Sequence, residues 1–353
     1  MPYDFAFLFS RAVFFASSRT SFGNNFFITA SSFSSRAFFF LRGIEAMNLP
    51  KLIEEYGSED RCRQYLEDLR WPAGVYCPRC NSTSLSRIEK RKQWECNETA
   101  CRYQFSVTAG TVFHDSHLPL WKWFLAIYLI GESKKGISAK QLQRTLGVSY
   151  KTAWYLGHRV RSAMEEDSPI PLHGIVEIDE TFIGGKYTED PNNRKGPHAN
   201  KQMVLGAIER DGEVRFSVRV GPDRRKRQSY HDFVEETVSD GAKAIYTDSA
   251  KAWGDLSDED TEHHKVNHVG DEWVRGVVHT NTVEGVWSLL KRSVIGTYHQ
   301  MSAKHLPAYL DEIAFRFNNR DNEYLFRDTL LVMIHGETLP YAELVADEDA
   351  TAG

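Results

Sequence analysis

Long apolar runs are missing from this chain. None approaches the roughly 18 residues that a membrane-spanning helix needs. The most apolar stretch, Trp121 to Ile130, is too short and carries Lys122. Cysteine is scarce, five in 353 residues, and four of the five fall in two short-spaced pairs. That excludes a disulfide scaffold and fits a reducing compartment, here a cytoplasmic one. Charge of one sign is also lacking in bulk. Lys and Arg number 43 against 48 Asp and Glu, a net −5, so total charge does not single out a polyanion-binding protein. No compact apolar segment with a small-residue cleavage site opens the chain, so a secretory signal is not expected.

The distribution of charge is informative where its total is not. Between Cys77 and Arg161 there are 14 Lys or Arg against 5 Asp or Glu, whereas acids crowd Asp240 to Glu272 and the C-terminal end. A basic half beside an acidic half suits a polymer-binding module joined to a metal-binding one. Residues 1–46 differ from both. Phe and Ser dominate there, and Asp4 and Glu45 are the only acids. This segment is expected to be a non-native or disordered leader, with ordinary sequence beginning at Met47 and a helical stretch from Leu49 to Leu69.

Cys77-Pro-Arg-Cys80 is a knuckle, two thiolates offered to one ion from a single turn. Cys96 and Cys101 supply a second pair, and the 15 residues between the pairs are enough for a hairpin. Four thiolates make a closed, structural zinc site, expected to hold one Zn2+. His114 and His117 lie past that complete set and are not expected to be ligands. Cys62 falls outside the pattern, on a predicted helix.

Ile137 to Leu146 has helical periodicity, Gly147-Val-Ser149 is a turn ending in a helix-capping Ser, and Tyr150 to Met164 reads as a second helix. This is a helix-turn-helix pattern, whose second helix would enter the DNA major groove. DNA-contact candidates are Lys151, His158, Arg159 and Arg161 on that helix, with Arg79, Arg91 and Lys92 on the zinc ribbon.

From Gly174 the period changes to that of strands. Ile175 to Ile183, Met203 to Glu209 and Val214 to Val220 read as strands, the last two joined by an Asp211-Gly212 hairpin turn. Tyr230 to Val238 reads as a helix, Ala244 to Asp248 as a strand and Thr282 to Lys291 as a late helix. The expected class is α/β: an RNase H-like catalytic domain, a mixed sheet with flanking helices, preceded by a small zinc ribbon and a helix-turn-helix. Acids at strand ends are costly to bury unless a cation compensates them. Three that converge would hold two hard divalent ions, Mg2+ or Mn2+, with positions left for phosphate and water.

The strings Val176-Glu-Ile-Asp-Glu-Thr-Phe-Ile-Gly-Gly-Lys186, Tyr246-Thr-Asp-Ser-Ala250 and His279-Thr-Asn-Thr-Val-Glu-Gly-Val-Trp-Ser-Leu-Leu-Lys-Arg292 resemble the ISXO-type insertion-sequence transposases over roughly Met47 to Arg320. The resemblance implies catalytic, metal-binding acids at Asp179, Asp248 and Glu284. The last two have 35 residues between them, a spacing typical of Asp-Asp-Glu enzymes. Ser249 departs from the acid common in the family after the second Asp. Glu177 and Glu180 flank Asp179, and strand alternation alone does not choose among the three. Lys186, Asn281, Lys291 and Arg292 are further DNA candidates; His279 is placed to orient water or DNA. The basic run Arg224 to Arg227 is either a solvated face or a DNA contact.

The expected organisation is a leader (1–46), an N-terminal helical segment (47–76), the zinc ribbon (77–112), the helix-turn-helix region (113–168), the catalytic domain (169–325) and a C-terminal tail (326–353). The implied function is that of a DNA transposase. It would bind the terminal inverted repeats of its element and catalyse metal-dependent strand cleavage and strand transfer. Its partners would be double-stranded element ends and target DNA, and it would act as a homo-oligomer on DNA, associated with a prokaryotic nucleoid and no membrane. The alternatives are a catalytically silent, domesticated DNA-binding regulator and a plain nuclease.

Overall fold

The computed structural model describes residues 46–166, 168–184, 201–221, 223–267, 276, 278–299 and 301–346, all within the compact unit Ile44–Gly353. The leader, except Ala46, and Lys186 lie outside the described residues.

The N-terminal segment folds as two helices, α1 (Leu49–Tyr56) and α2 (Glu59–Arg70), broken at Gly57-Ser58. Each starts at a capping side chain: Asn48 accepts from the Lys51 N–H and Ser58 from the Arg61 N–H. A three-stranded antiparallel sheet follows, β1 (Leu85–Ile88), β2 (Gln93–Cys96) and β3 (Gln104–Phe105), in that order. Helices α3 (Leu120–Glu132), α4 (Ala139–Leu146) and α5 (Tyr150–Ser162) come next. The two expected helices and their turn are present: Ser138 and Ser149 cap α4 and α5, and Gly147 takes the left-handed conformation (φ 60°) that ends α4.

The second half is a five-stranded mixed sheet built from β4 (Ile175–Ile183), β5 (Gln202–Glu209), β6 (Val214–Arg219), β7 (Ala244–Asp248) and β8 (Glu262–Val266), in the order β6-β5-β4-β7-β8. The first three strands run antiparallel; β7 and β8 join parallel. Asp211 at φ 61° makes the β5–β6 turn. Helix α6 (Arg227–Thr237) lies between β6 and β7, and α7 (Asn281–Ser293) runs into a single π-helical turn, Val294–Tyr298. Three helices close the described chain: α8 (Leu306–Asn318), α9 (Leu325–His335) and α10 (Tyr341–Val345). This is the expected RNase H-like arrangement, a mixed sheet with flanking helices.

Period-2 alternation on β4 splits the core in two. Val176 and Ile178 pack with Tyr230 and Phe233 of α6 on one face. Ile183, with Val204 and Ile208 of β5, packs against Val283, Val286, Trp287 and Leu290 of α7 on the other. A third core joins the N-terminal helices, the small sheet and α3 to α5, and it includes Phe326, Leu330, Met333 and Ile334 of α9. The stretch read as a C-terminal tail therefore carries a helix whose apolar side chains are buried among residues more than 150 positions earlier. At about 1.5–3 kcal/mol per buried large apolar side chain, those four form a substantial anchor.

Candidate functional site

The cysteine cluster is built by the small sheet. Cys77 and Cys80 sit in the turn before β1, Cys96 ends β2 and Cys101 lies in the turn before β3. The four Sγ atoms all lie within 4.8 Å of one another, with Cys77–Cys101 at 3.7 Å and Cys80–Cys96 at 3.5 Å. Four sulfurs at about 2.3 Å around a tetrahedral zinc are about 3.8 Å apart, so the donor set fits that ion. No disulfide links them, and His114 and His117 are not part of the group.

Asp248 ends β7 as expected of a strand-end acid, whereas Asp179 lies midway along β4. The parallel register pairs Ile175 with Ala244 and Glu177 with Tyr246, and Asp179 and Asp248 each lie two residues beyond that last pair on their strands. Asp179 lies on the α7 face of the sheet, where its Oδ2 accepts from the Trp287 Nε1–H at 2.9 Å. Glu284 is three residues before Trp287, on the same side of α7, and Thr280 Oγ1 donates to it at 3.3 Å. Asp179, Glu284 and Trp287 line one cleft of about 700 Å³. Asp248 lies outside that lining; its Oδ1 accepts from Trp253 Nε1 at 2.8 Å and from the Ala250 N–H at 3.0 Å. Among the described residues the four cysteines are the group of His, Cys, Asp or Glu gathered closely enough to hold a metal ion; Asp179, Asp248 and Glu284 do not form such a group.

They nevertheless feel one another. Burial pushes the Asp179 carboxyl up to about 6, and repulsion from Asp248 and Glu284 adds to it, against hydrogen bonds from the Glu180 backbone and Trp287. Glu180, next along β4, lines the same cleft. Burial, then Asp179 and Asp248, raise it to about 7, with Arg225 pulling the other way.

Glu177 has a different task. It is fully buried and accepts from Arg210 Nε (2.8 Å), from the Thr282 N–H (2.8 Å) and hydroxyl (2.8 Å), and from the Val283 N–H (3.2 Å). A carboxylate on the first N–H groups of α7 satisfies donors that a helix start leaves open and complements its dipole. Glu177 thus ties α7, and Glu284 with it, to β4. Arg210 also meets the His279 Nδ1 at 3.0 Å, which draws His279 into the same tie.

The ISXO2-like transposase domain matches residues 171–318, and a transposase zinc-ribbon domain matches residues 57–104. A protein of transposable element ISH50 from Halobacterium salinarum is 30% identical over 283 residues, 75% of this chain and 92% of that protein. The chain belongs to the ISXO2-like transposases. Among solved structures, the Mos1 strand transfer complex covers 60% of the transposase and 75% of its own chain at 13% identity and a TM-score of 0.26. A pre-cleavage Mos1 transpososome covers 62% and 80% at 12% identity and a TM-score of 0.19.

The basic residues of this transposase depart from the sequence reading. Arg79, Arg91 and Lys92 are exposed on the ribbon, Arg79 stacked 4.1 Å over Tyr103. Lys151 is exposed, 4.2 Å over the Tyr341 ring. His158, Arg159 and Arg161, expected on the outer face of α5, are buried. Arg159 donates to the carbonyls of Val112 and His114. Arg161 pairs with Glu312 of α8 at 2.6 Å, and Arg316 reaches the same carboxylate at 3.1 Å. Burial, with Arg161 and His305 alongside, drives His158 down to about 3. The rule that polar residues face water failed because α5 is wedged between α3 and α8, with its charges satisfied by carbonyls and by an acid some 150 residues away.

Exposed side chains of the helix-turn-helix instead include Lys140, Gln141, Arg144, Thr145, Tyr150 and Lys151. Asn281, Lys291 and Arg292 are exposed on α7, and the last two line the acidic cleft. In the basic run, Arg224 is half-buried and Arg225, Lys226 and Arg227 are exposed. Sequence reasoning passed over Trp287, Trp253, Arg210, Gly206 and Lys135. For Trp287 a signal was present, since three positions from Glu284 is one helical turn.

Proposed function

We propose that this protein is the active transposase of an insertion sequence. It binds the terminal inverted repeats of the element through its ribbon and helix-turn-helix, and it cuts and joins DNA strands at Asp179, Asp248 and Glu284. The observation that carries the reading is the state of Asp179. It is a desolvated carboxyl at a cleft wall, aligned by an indole N–H and pushed up by two neighbouring acids. Such a cluster costs free energy in the empty protein and is repaid by a cation, the pattern of a functional site. Asp179, Asp248 and Glu284 would hold Mg2+ or Mn2+. When bound, such ions polarise the scissile phosphate and lower the pKa of the attacking oxygen.

The protein's own groups do the positioning. Trp287 orients Asp179, while Trp253 and the Ala250 N–H orient Asp248. Glu177 and Arg210 fix the helix that presents Glu284. Lys291 and Arg292 sit about two turns further along that helix, where they offset phosphate charge. Lys140 and Arg144 on α4, with Tyr150 and Lys151 at the start of α5, are the groups left to meet duplex DNA, since the first residues of a recognition helix are those that reach base edges. The test is incubation of the purified protein with a duplex carrying the element's own end. Mg2+ should give a nick at the end of the repeat with a free 3′-OH, and EDTA none. Absence of any cleavage in Mg2+ or Mn2+ overturns the reading.

A further inference from the structure

The acidic cleft has a lining residue that does not belong to the RNase H-like sheet or its helices. Lys135 comes from the six-residue connection between α3 and α4, immediately before the helix-turn-helix, yet it lines the same 700 Å³ cleft as Asp179, Glu284, Lys291 and Arg292. Its neighbour Lys134 is equally exposed and does not.

The turn is held there by contacts on both sides of the lysine pair. On one side, the Ser133 carbonyl accepts from Arg316 Nη1 of α8 at 2.6 Å and from the Gly136 N–H at 2.9 Å. On the other, Gly136 adopts φ 79°, and a Cβ there would lie 1.7 Å from the Tyr298 hydroxyl. That hydroxyl donates to Glu312 at 2.5 Å, the carboxylate that also binds Arg161 of the recognition helix. Tyr298 ends the π-helical turn whose Ile295 and Gly296 line the cleft. A buried network therefore fixes the turn against the catalytic half, and among the described residues no carboxylate forms a salt bridge with Lys135, Lys291 or Arg292.

An exposed lysine on a pinned turn, with no salt-bridge partner among the described residues and lining the same cleft as Asp179 and Glu284, is suited to a ligand that carries negative charge and approaches acids only with cations between. We propose that Lys135 contacts a DNA backbone phosphate next to the scissile one, so that the DNA-binding half supplies a residue to the cutting site. With Lys291 and Arg292 it forms a cationic rim that fixes where the strand enters. The proposal rests on the transposase reading above.

The test uses the full chain, a duplex of the element's end, and two readouts. With Ca2+ in place of Mg2+, the dissociation constant is measured against salt concentration; with Mg2+, the rate of strand cleavage. Lys135→Ala should lower the slope of log affinity against log salt by about 0.9, the value for one lost phosphate contact, and slow cleavage about tenfold. Lys135→Arg should restore both, and Lys134→Ala should match wild type. A Lys135→Ala protein with the wild-type slope overturns the proposal, whether or not its cleavage is slowed, because a purely structural role would leave counterion release unchanged. If the wild-type protein neither cleaves nor binds the duplex, the transposase reading itself falls and takes the proposal with it.

Discussion

Gly206 offers a sharp test of how the acids are held. It lies on β5 directly opposite Asp179, on the same face. A Cβ added there would be 2.4 Å from Cη2 and 2.8 Å from Cζ2 of Trp287, and 3.3 Å from Phe216. Carbon atoms pack at about 3.5–4.0 Å, so in Gly206→Ala the indole must retreat by about 1 Å or α7 must lift. Overpacking of this kind costs about 1–3 kcal/mol. The retreat also breaks the 2.9 Å hydrogen bond to Asp179, worth about 1.5–3 kcal/mol for a charged acceptor. Alanine recovers about 0.4–1 kcal/mol by restricting the unfolded chain. Net destabilisation should be about 1.5–5.5 kcal/mol, read as a lower urea midpoint at unchanged slope. Cleavage of end DNA should fall with it, because Glu284 rides on the displaced helix. Trp287→Phe removes the outer indole atoms. The double variant should therefore be more stable than the sum of the single effects by over about 1 kcal/mol. If Gly206→Ala lies within about 0.5 kcal/mol of wild type, or the pair is additive, the wedge between β5 and α7 is not what positions Asp179.

Two further outcomes follow from the same geometry. Metal analysis should find about one zinc per chain, lost in the Cys77→Ser, Cys96→Ser double variant; full zinc retention there would rule out the four-cysteine site. Asp179 titrates near 6 in the folded metal-free protein against 3.8 in the open chain. The folded state thus holds its proton more tightly, and this group's contribution to stability is present below about pH 4 and lost as pH rises to about 6. Asp179→Asn keeps an acceptor for Trp287 and removes the charge. In EDTA at pH 8 it should be more stable than wild type by up to about 3 kcal/mol, two pKa units at 1.36 each, and indistinguishable at pH 4. Equal stability at both pH values would show that the acid cluster carries no strain.

Much of this was legible in the sequence because the signals were local. The ribbon cysteines, the caps Ser138 and Ser149, the Asp211-Gly212 turn and the strands that carry Asp179 and Asp248 are each defined within a few residues. What escaped depends on partners far along the chain. Arg161 reads as a solvated recognition-helix residue until Glu312 is placed against it. Glu177 competes with Asp179 as an active-site acid until α7 docks and takes its carboxylate as a cap. The C-terminal stretch reads as a tail until Phe326 and Leu330 are found in the N-terminal core. Lys135, four residues from the helix-turn-helix, gives no sign in sequence that it lines the cleft of Asp179 and Glu284. In each case a tertiary neighbour overrode a local rule.

The central claim is that Asp179, Asp248 and Glu284 together make the cutting site. It is tested most directly by the cleavage rate of end DNA in Mg2+ by Asp179→Asn, Asp248→Asn and Glu284→Gln, each beside its affinity for the same duplex. Loss of about 4 kcal/mol of transition-state stabilisation should slow cleavage about a thousandfold in each. Binding should stay within a few-fold of wild type, since none of the cationic groups proposed to contact DNA is changed. Glu177 is unsuitable as a neutral control because of its helix-capping task. Glu209→Gln, on the far end of β5, serves instead and should cleave normally. Wild-type cleavage by any of the three acid variants would contradict the account.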